Sequence, residues 1–285
     1  ARRLRTHSMD ASPRETTQMY AFKYHRPASL RKAAGLLAKH EDAKLLAGGH
    51  TLLPTMKNRL AQPGHIVDLG ALTDLAGIQK KGRNIVIGAM TRHADVAGNA
   101  DVKAALPGLA ALAGGIGDPA VRHRGTIGGS IANNDPAADY PAACLALGAT
   151  IVTSKRKIPA DEFFNGLFTT ALEEGEIITK ISFPIAGKFA YAKFPNPASR
   201  YAMVGVAVAK KGGDVRVAVT GAGADGVFRW AKAEEALKGR FNAKALDGVV
   251  HPAKGINGDI HGSAEYRAHL IGVMAKRAVA AATGK

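Results

Sequence analysis

The chain has 285 residues with a formal net charge of +16, 46% hydrophobic and 6% aromatic residues. Those values suit a globular protein of one large or two to three modest domains, and they exclude a disordered, collagenous or fibrous chain. Its single cysteine, Cys144, excludes a disulfide framework and is too few for an iron–sulfur cluster or thiolate zinc site, so no metal is expected here and metal redox chemistry falls to a partner.

Residues 1–18 hold four arginines and no apolar run, and read as a disordered extension and not as a secretory signal. Behind Pro27–Ser29, Leu30, Ala33, Ala34 and Leu37 repeat at helical spacing. Ala43–Ala47 is a short buried strand ended by Gly48–Gly49, a helical stretch covers Thr51–Arg59, and His65–Leu69 is a second strand. Together they predict a compact β-α-β-like first lobe over 19–70. A second segment, 71–182, opens with strands Gly77–Gln79 and Asn84–Gly88 joined by the turn Lys80–Arg83. Helices are predicted near Ala94–Leu106 and Gly108–Gly115, followed by a Gly-rich loop over Gly125–Ser130. Asp139–Leu147 reads as a helix with Gly148 at its C′ position, and Thr150–Thr153 and Ile177–Phe183 read as strands. From 183 to 285 the pattern becomes an antiparallel meander, Phe189–Phe194, Tyr201–Lys210 and Val215–Thr220, with a hairpin at Lys211–Asp214. Helices over Trp230–Leu237, Ala243–Val250 and Ala264–Ala282 complete it. The fold class is α+β.

Two short apolar strands each run into a glycine pair beside a hydroxyl residue: Ala47, Gly48, Gly49, His50, Thr51 and Thr126, Ile127, Gly128, Gly129, Ser130. Glycine lets backbone approach a ligand closely, so that successive N–H groups and the hydroxyls of Thr51 and Ser130 can converge on an oxyanion such as a diphosphate. Plain tight turns use the same glycines. Valine at Gly49 or Gly128 is expected to obstruct that approach while sparing the fold. Gly221–Gly226 matches the dinucleotide pattern G-x-G-x-x-G, but it follows a hairpin strand and leads to no parallel strand, so it reads as a turn. Asp139 can accept hydrogen bonds from sugar or ribityl hydroxyls, or serve as a helix N-cap.

These loops, with Leu53–Lys57, Asp118–Pro119 and Asp135–Asp139, resemble the FAD-binding medium subunit of molybdenum hydroxylases, most of all the aerobic carbon monoxide dehydrogenase type. The likeness runs from about Phe22 to Arg267. It implies a two-subdomain FAD-binding region of the vanillyl-alcohol-oxidase type, followed by a C-terminal flavoprotein domain. By that match the two glycine turns hold the FAD diphosphate and Asp139 binds the flavin's sugar-like chain. Tyr201 lies against the isoalloxazine ring, Lys193 is a basic residue near the cofactor, and Leu52 and Ile116 join the contacts. The implied role is electron relay, from a molybdopterin-binding large subunit through a [2Fe-2S] small subunit to FAD and an external acceptor. A dimer of heterotrimers (a heterohexamer) and a cytoplasmic location follow, with a peripheral position at the inner membrane face as the alternative. No side chain of this chain need act as general acid or base. The segment before Tyr201 departs from the family, with Pro195, Asn196 and Pro197 where basic residues are usual and Arg200 where an acidic one is; this bears on flavin tuning and acceptor choice.

Other classes fit less well. The basic runs Lys80–Lys81, Lys155–Arg156–Lys157 and Lys210–Lys211 lie far apart and lack interleaved aromatics, which argues against nucleic-acid binding as the explanation of the charge. The ten histidines show no H-x-x-x-H spacing, Gly128–Ala132 is one glycine short of a nucleophile elbow, and Cys144 sits in an apolar helix. The longest uncharged stretches, Ala104–Gly117 and Tyr140–Ser154, are too short to span a bilayer. A stand-alone FAD oxidase and, behind it, a basic nucleic-acid-binding protein are the competing readings.

Overall fold

The computed structural model describes residues 19–284; the extension read at 1–18 lies outside the described residues. The first lobe contains β1 (Lys23–His25), α1 (Leu30–Lys39), β2 (Ala43–Leu46), α2 (Leu52–Lys57) and β3 (His65–Asp68). Its sheet is parallel with order β1-β3-β2. Strand β1 is an element the sequence did not announce: three residues, none of them buried, give no apolar pattern to read. Ser29 caps α1 by accepting from the Lys32 N–H. The lobe's core is small, with Ala33, Ala43 and Val67 meeting Leu69, Leu72 and Leu75.

The second segment holds an antiparallel five-stranded sheet of order β4-β5-β8-β6-β7, formed by β4 (Ile78–Lys81), β5 (Asn84–Gly88), β6 (Thr150–Thr153), β7 (Lys157–Pro159) and β8 (Ile178–Pro184). Helices α3 (His93–Gly98), α4 (Ala100–Ala105), α5 (Pro107–Gly114), α6 (Pro119–Arg124), α7 (Ile127–Asn133), α8 (Tyr140–Leu147) and α9 (Ala160–Phe163) accompany it. Two expectations change here. The helix read over Ala94–Leu106 is broken at Asn99, which takes extended backbone and caps α4 by accepting from the Val102 N–H at 3.0 Å. The passage Gly125–Ser130, read as a loop, is the start of α7, with Thr126 as its N-cap. Helix α8 is buried along its whole length, Cys144 included, and ends at Gly148 with φ 60°; burial pushes the Cys144 thiol far up.

The C-terminal sheet has order β12-β11-β10-β9, all antiparallel, from β9 (Lys188–Pro195), β10 (Ala202–Lys211), β11 (Asp214–Thr220) and β12 (Phe228–Arg229). Its alternation has a physical purpose. Val204, Val206 and Val208 of β10, with Val215, Val217 and Val219 of β11, face a core shared with α10 (Ala231–Gly239) and α11 (Ala264–Thr283). Ala207, Ala209 and Ala218 face the other way, where their small side chains let the sheet lie close against α8. Both faces are covered, which is why β10 reads as an unbroken apolar run. The predicted helix over Ala243–Val250 shrinks to a short 3₁₀ turn, Ala243–Leu246. Gly221, at φ 83°, turns the chain out of β11 towards antiparallel β12, so the G-x-G-x-x-G match is a turn and not a dinucleotide fingerprint.

Candidate FAD-binding site

The turn after β2 and the turn before α7 come together as backbone against backbone. A Cβ on Gly48 would overlap the Arg124 carbonyl oxygen and lie 2.8 Å from Gly125 Cα. A Cβ on Gly129 would stand 3.6 Å from that of Ala47. Glycine at 48 is therefore required by contact between two lobes that are far apart in sequence. Gly49 has φ 75°, the left-handed region, where a side chain would also press on Leu53 at 2.9 Å. Around this junction lies a cleft of about 590 Å³, of a size for a small-molecule cofactor.

The two turns are not equivalent donors. The N–H groups of Gly48, Gly49, His50 and Thr51 meet no acceptor among the described residues, and Thr51 makes no side-chain cap bond. Across the cleft, Ile127 N–H donates to Thr91 O at 3.0 Å, Gly128 N–H to Ala89 O at 2.8 Å, and Ser130 N–H to Thr126 O at 3.0 Å. Gly129 N–H donates to Thr126 Oγ1 at 3.1 Å. The second turn thus presents a close, smooth surface and the Ser130 hydroxyl, while the first presents the free donors. Gly128 is glycine because a Cβ would sit 2.7 Å from Ala89 O. Valine there would push α7 off β5, so the expectation that it would spare the fold is corrected by this packing.

Of the residues singled out in the sequence, Ala47 to Leu52, Ile116, Thr126, Gly128 to Ser130, Asp139 and Tyr201 all line the cleft. Ile127 and Lys193 do not. Ile127 is fully buried in the core beneath. Lys193 stands behind Asp139 as a support, its Nζ donating to Gly115 O at 2.8 Å and lying 3.0 Å from Asp139 Oδ1. Tyr191 Oη donates to the same Oδ1 at 2.6 Å. Asp139 opens α8 without making a side-chain cap bond, so capping is not its role. Burial pushes its carboxyl up, opposed by the Lys193 ammonium and the Tyr191 hydroxyl.

Tyr201 stands at the mouth, 52% exposed. Burial of its remaining half and the carboxylates of Asp135 and Asp139 raise its phenol, which stays protonated at neutral pH. His93 and Glu176, which the sequence gave no reason to select, complete the walls with Gly125 and Asp135 from segments already marked. Gly125 touches the first turn, and Asp135 accepts the Ala137 N–H at 2.8 Å. His93 is 5% exposed, and burial holds its imidazole down at about 4. Its Nδ1 has no hydrogen-bond partner among the described residues. Glu176 also lines the cleft. Burial pushes its carboxyl up, but the Arg156 guanidinium, the Glu173 N–H and the Thr153 hydroxyl outweigh it and hold the group at about 2. A cleft with free N–H donors at one end, carboxylates that accept from hydroxyls beside them and a flat phenol at the mouth fits a flavin dinucleotide part by part.

Comparison with known proteins agrees. Residues 20–186 match the FAD binding domain in molybdopterin dehydrogenase, and residues 189–282 match the CO dehydrogenase flavoprotein C-terminal domain. The chain belongs to the family of FAD-binding medium subunits of carbon monoxide dehydrogenase-like molybdenum hydroxylases, and it binds FAD as part of an oxidoreductase. It is 39% identical to the carbon monoxide dehydrogenase medium chain of Hydrogenophaga pseudoflava, covering 92% of this chain and 96% of that one. It is 36% identical to the nicotine 6-hydroxylase medium subunit of Paenarthrobacter nicotinovorans, covering 91% and 96%. Among solved structures, it superposes on carbon monoxide dehydrogenase from Hydrogenophaga pseudoflava lacking the Mo-pyranopterin moiety of its cofactor, with a TM-score of 0.84 and 41% identity over 94% of this chain and 99% of that one. No helix among the described residues is long and apolar enough to cross a membrane.

Proposed function

We propose that this chain is the electron-relaying flavoprotein of a three-subunit molybdenum hydroxylase. It receives electrons from a [2Fe-2S] small subunit, which is reduced in turn by a molybdopterin-binding large subunit, and passes them to an external acceptor. The observation that carries the reading is the contact of Gly48 with Gly125, which joins two lobes into one cleft of about 590 Å³ with a half-exposed tyrosine at its mouth. Bound here, FAD would supply the redox chemistry between one-electron and two-electron partners.

The chain's own residues bind and orient. The Gly48 to Thr51 N–H groups and the Thr51 and Ser130 hydroxyls donate to diphosphate oxygens. Asp139, held in place by Tyr191 and Lys193, accepts from the hydroxyls of the ribityl chain. Tyr201 covers the ring and limits water. No proton transfer by a side chain is required, which accords with a cleft in which burial holds His93 neutral and Tyr201 is held protonated. The working assembly is a dimer of heterotrimers in the cytoplasm; the medium-chain and medium-subunit names of its relatives support a complex of several subunits.

The test is affinity purification of the untagged partners with this chain, followed by anaerobic addition of carbon monoxide, an aldehyde or an N-heterocycle. Bleaching of the flavin absorbance by one of these in the three-subunit complex, and its absence with this chain alone, is the expected result. Bleaching of the isolated chain by substrate would establish the stand-alone oxidase instead.

A further inference from the structure

Away from the cleft, three histidines meet on the first lobe. His25 ends β1, His40 follows the last turn of α1, and His65 begins β3. His25 Nε2 lies 2.9 Å from His65 Nδ1. The His40 and His65 rings stack with centroids 3.6 Å apart, and those of His25 and His65 with centroids 5.1 Å apart. One ring nitrogen from each residue falls within 4.8 Å of the other two, and all three side chains are half-buried.

The register explains the meeting. Lys23 pairs with His65 and His25 with Val67 across β1 and β3, so His25 and His65 project from the same face of the sheet, the face that carries Val67 into the small core beneath α1. The end of α1 then brings His40 over them. The backbone at this corner is tied down: Ala43 N–H donates to His40 O at 3.0 Å, Lys23 N–H to Gly64 O at 2.8 Å, and Gly64 N–H to Asp42 Oδ2 at 3.0 Å. Three imidazole nitrogens gathered from separate, rigid elements are the donor set of a divalent late transition metal.

We infer that His25, His40 and His65 form a site for a divalent late transition metal, zinc foremost, with the fourth position open to solvent. A tetrahedral zinc holds imidazole nitrogens about 2.0–2.1 Å away and hence about 3.4 Å from one another. The present spacing brackets that value, with His25 Nε2 and His65 Nδ1 at 2.9 Å and all three nitrogens within 4.8 Å of one another. The metal would fasten β1, α1 and β3 together in the lobe with the smallest core, the lobe that also carries the Gly48 turn. No sequence motif signals this site, since the ligands stand at positions 25, 40 and 65 on separate elements.

The experiment uses the untagged full chain, stripped with chelator and repurified with its flavin. Zn²⁺ is titrated by calorimetry and Co²⁺ by visible absorption, against the variants His40→Gln and His25→Gln and the control His123→Gln. The expected result is one strong equivalent of Zn²⁺, tetrahedral Co²⁺ bands, and a thermal midpoint raised by Zn²⁺. Each of the two site variants should lose at least tenfold in affinity with flavin content unchanged, while His123→Gln binds as the parent does. Octahedral or absent Co²⁺ bands in the parent protein would overturn the inference, whether or not the variants fold. So would Zn²⁺ affinity equal in parent and site variants, which would make the cluster a stack of rings closing the core's edge.

Discussion

Replacing Gly48 by alanine tests the junction of the two turns directly. The added methyl would overlap the Arg124 carbonyl and sit 2.8 Å from Gly125 Cα, against the 3.4 Å at which ordinary contact begins, and both neighbours are backbone atoms that cannot rotate aside. The turns must separate. Overpacking of this kind costs about 1–3 kcal/mol. Because the strain is relieved by spreading the proposed diphosphate site, most of it should appear in the free energy of FAD binding. At about 1.4 kcal/mol per tenfold, the Kd for FAD rises about 5- to 150-fold. The assay is titration of apoprotein with FAD, followed by quenching of flavin fluorescence, with thermal melts of the apoprotein alongside. Two controls frame the result. Gly35→Ala, in α1 with nothing within 4 Å of the new Cβ, should leave FAD binding unchanged and stabilise the helix by about 0.5–1 kcal/mol. Gly128→Ala should lower the melting temperature of the apoprotein, since its Cβ meets Ala89 backbone. A Gly48→Ala protein that binds FAD as tightly as the parent would refute the convergence argument. So would one that loses FAD only in proportion to a global loss of stability.

Burial holds His93 down from 6.5 to about 4, so folding favours the neutral ring: its contribution is complete above pH 6.5 and declines as pH falls towards 4, by up to about 3 kcal/mol at 1.36 kcal/mol per tenfold change in proton affinity. Urea melts of parent and His93→Gln across this range should show a flatter acid slope in the variant, and parallel slopes would count against the assignment. Asp139→Asn leaves the Lys193 ammonium without its carboxylate in a site where Lys193 is 11% and Asp139 4% exposed; the loss in stability should be about 3 kcal/mol or more, read from denaturant midpoints, and a change under about 1 kcal/mol would show the pair to be solvent-screened. Tyr201→Ala removes a ring from the mouth of the cleft and should weaken FAD by about 0.5–1.5 kcal/mol while speeding reoxidation by dioxygen in stopped-flow traces; unchanged values in both would place the ring away from the flavin.

Residues that act through local chemistry were legible in the sequence. The strands β10 and β11 with their hairpin, the glycine turns and the helix stop at Gly148 all declare themselves within a few positions. The break at Asn99 was less legible, because the apolar spacing continues through it and only the capping geometry decides. Glycine's reason for being was legible only in part. At Gly49 it is a positive φ that local sequence suggests; at Gly48 and Gly128 it is a partner backbone contributed by residues about 76 and 39 positions away, at Arg124 and Ala89. The different donor character of the two turns is equally non-local, since it depends on Ala89 and Thr91 carbonyls occupying the N–H groups of α7. Lys193 could be placed near the cofactor by resemblance, but its position behind Asp139 is a matter of three-dimensional packing.

That packing gives Asp139 a second role beyond any bond to the cofactor. The segment Asp135–Asp139 is held from the C-terminal sheet by Thr220, whose Oγ1 donates to Pro136 O at 3.0 Å and Ala138 O at 2.7 Å, and by Gly221 N–H, which donates to Pro136 O at 2.8 Å. Tyr191 and Lys193 of β9 reach the carboxylate at the segment's end, and Lys193 extends to Gly115 beyond α5. One wall of the cleft is therefore fixed by β9 and β11, and the other by the first lobe. A cleft built in this way has its width set by how three sheets dock, so a substitution far from the proposed flavin site that loosens β9 against α5, or β11 against α8, should alter FAD affinity without touching the cofactor. The same geometry explains why a buried ion pair is kept at a position where an apolar pair would pack as well: only an acid fixed by two donors presents remaining lone pairs to the cleft at a defined place.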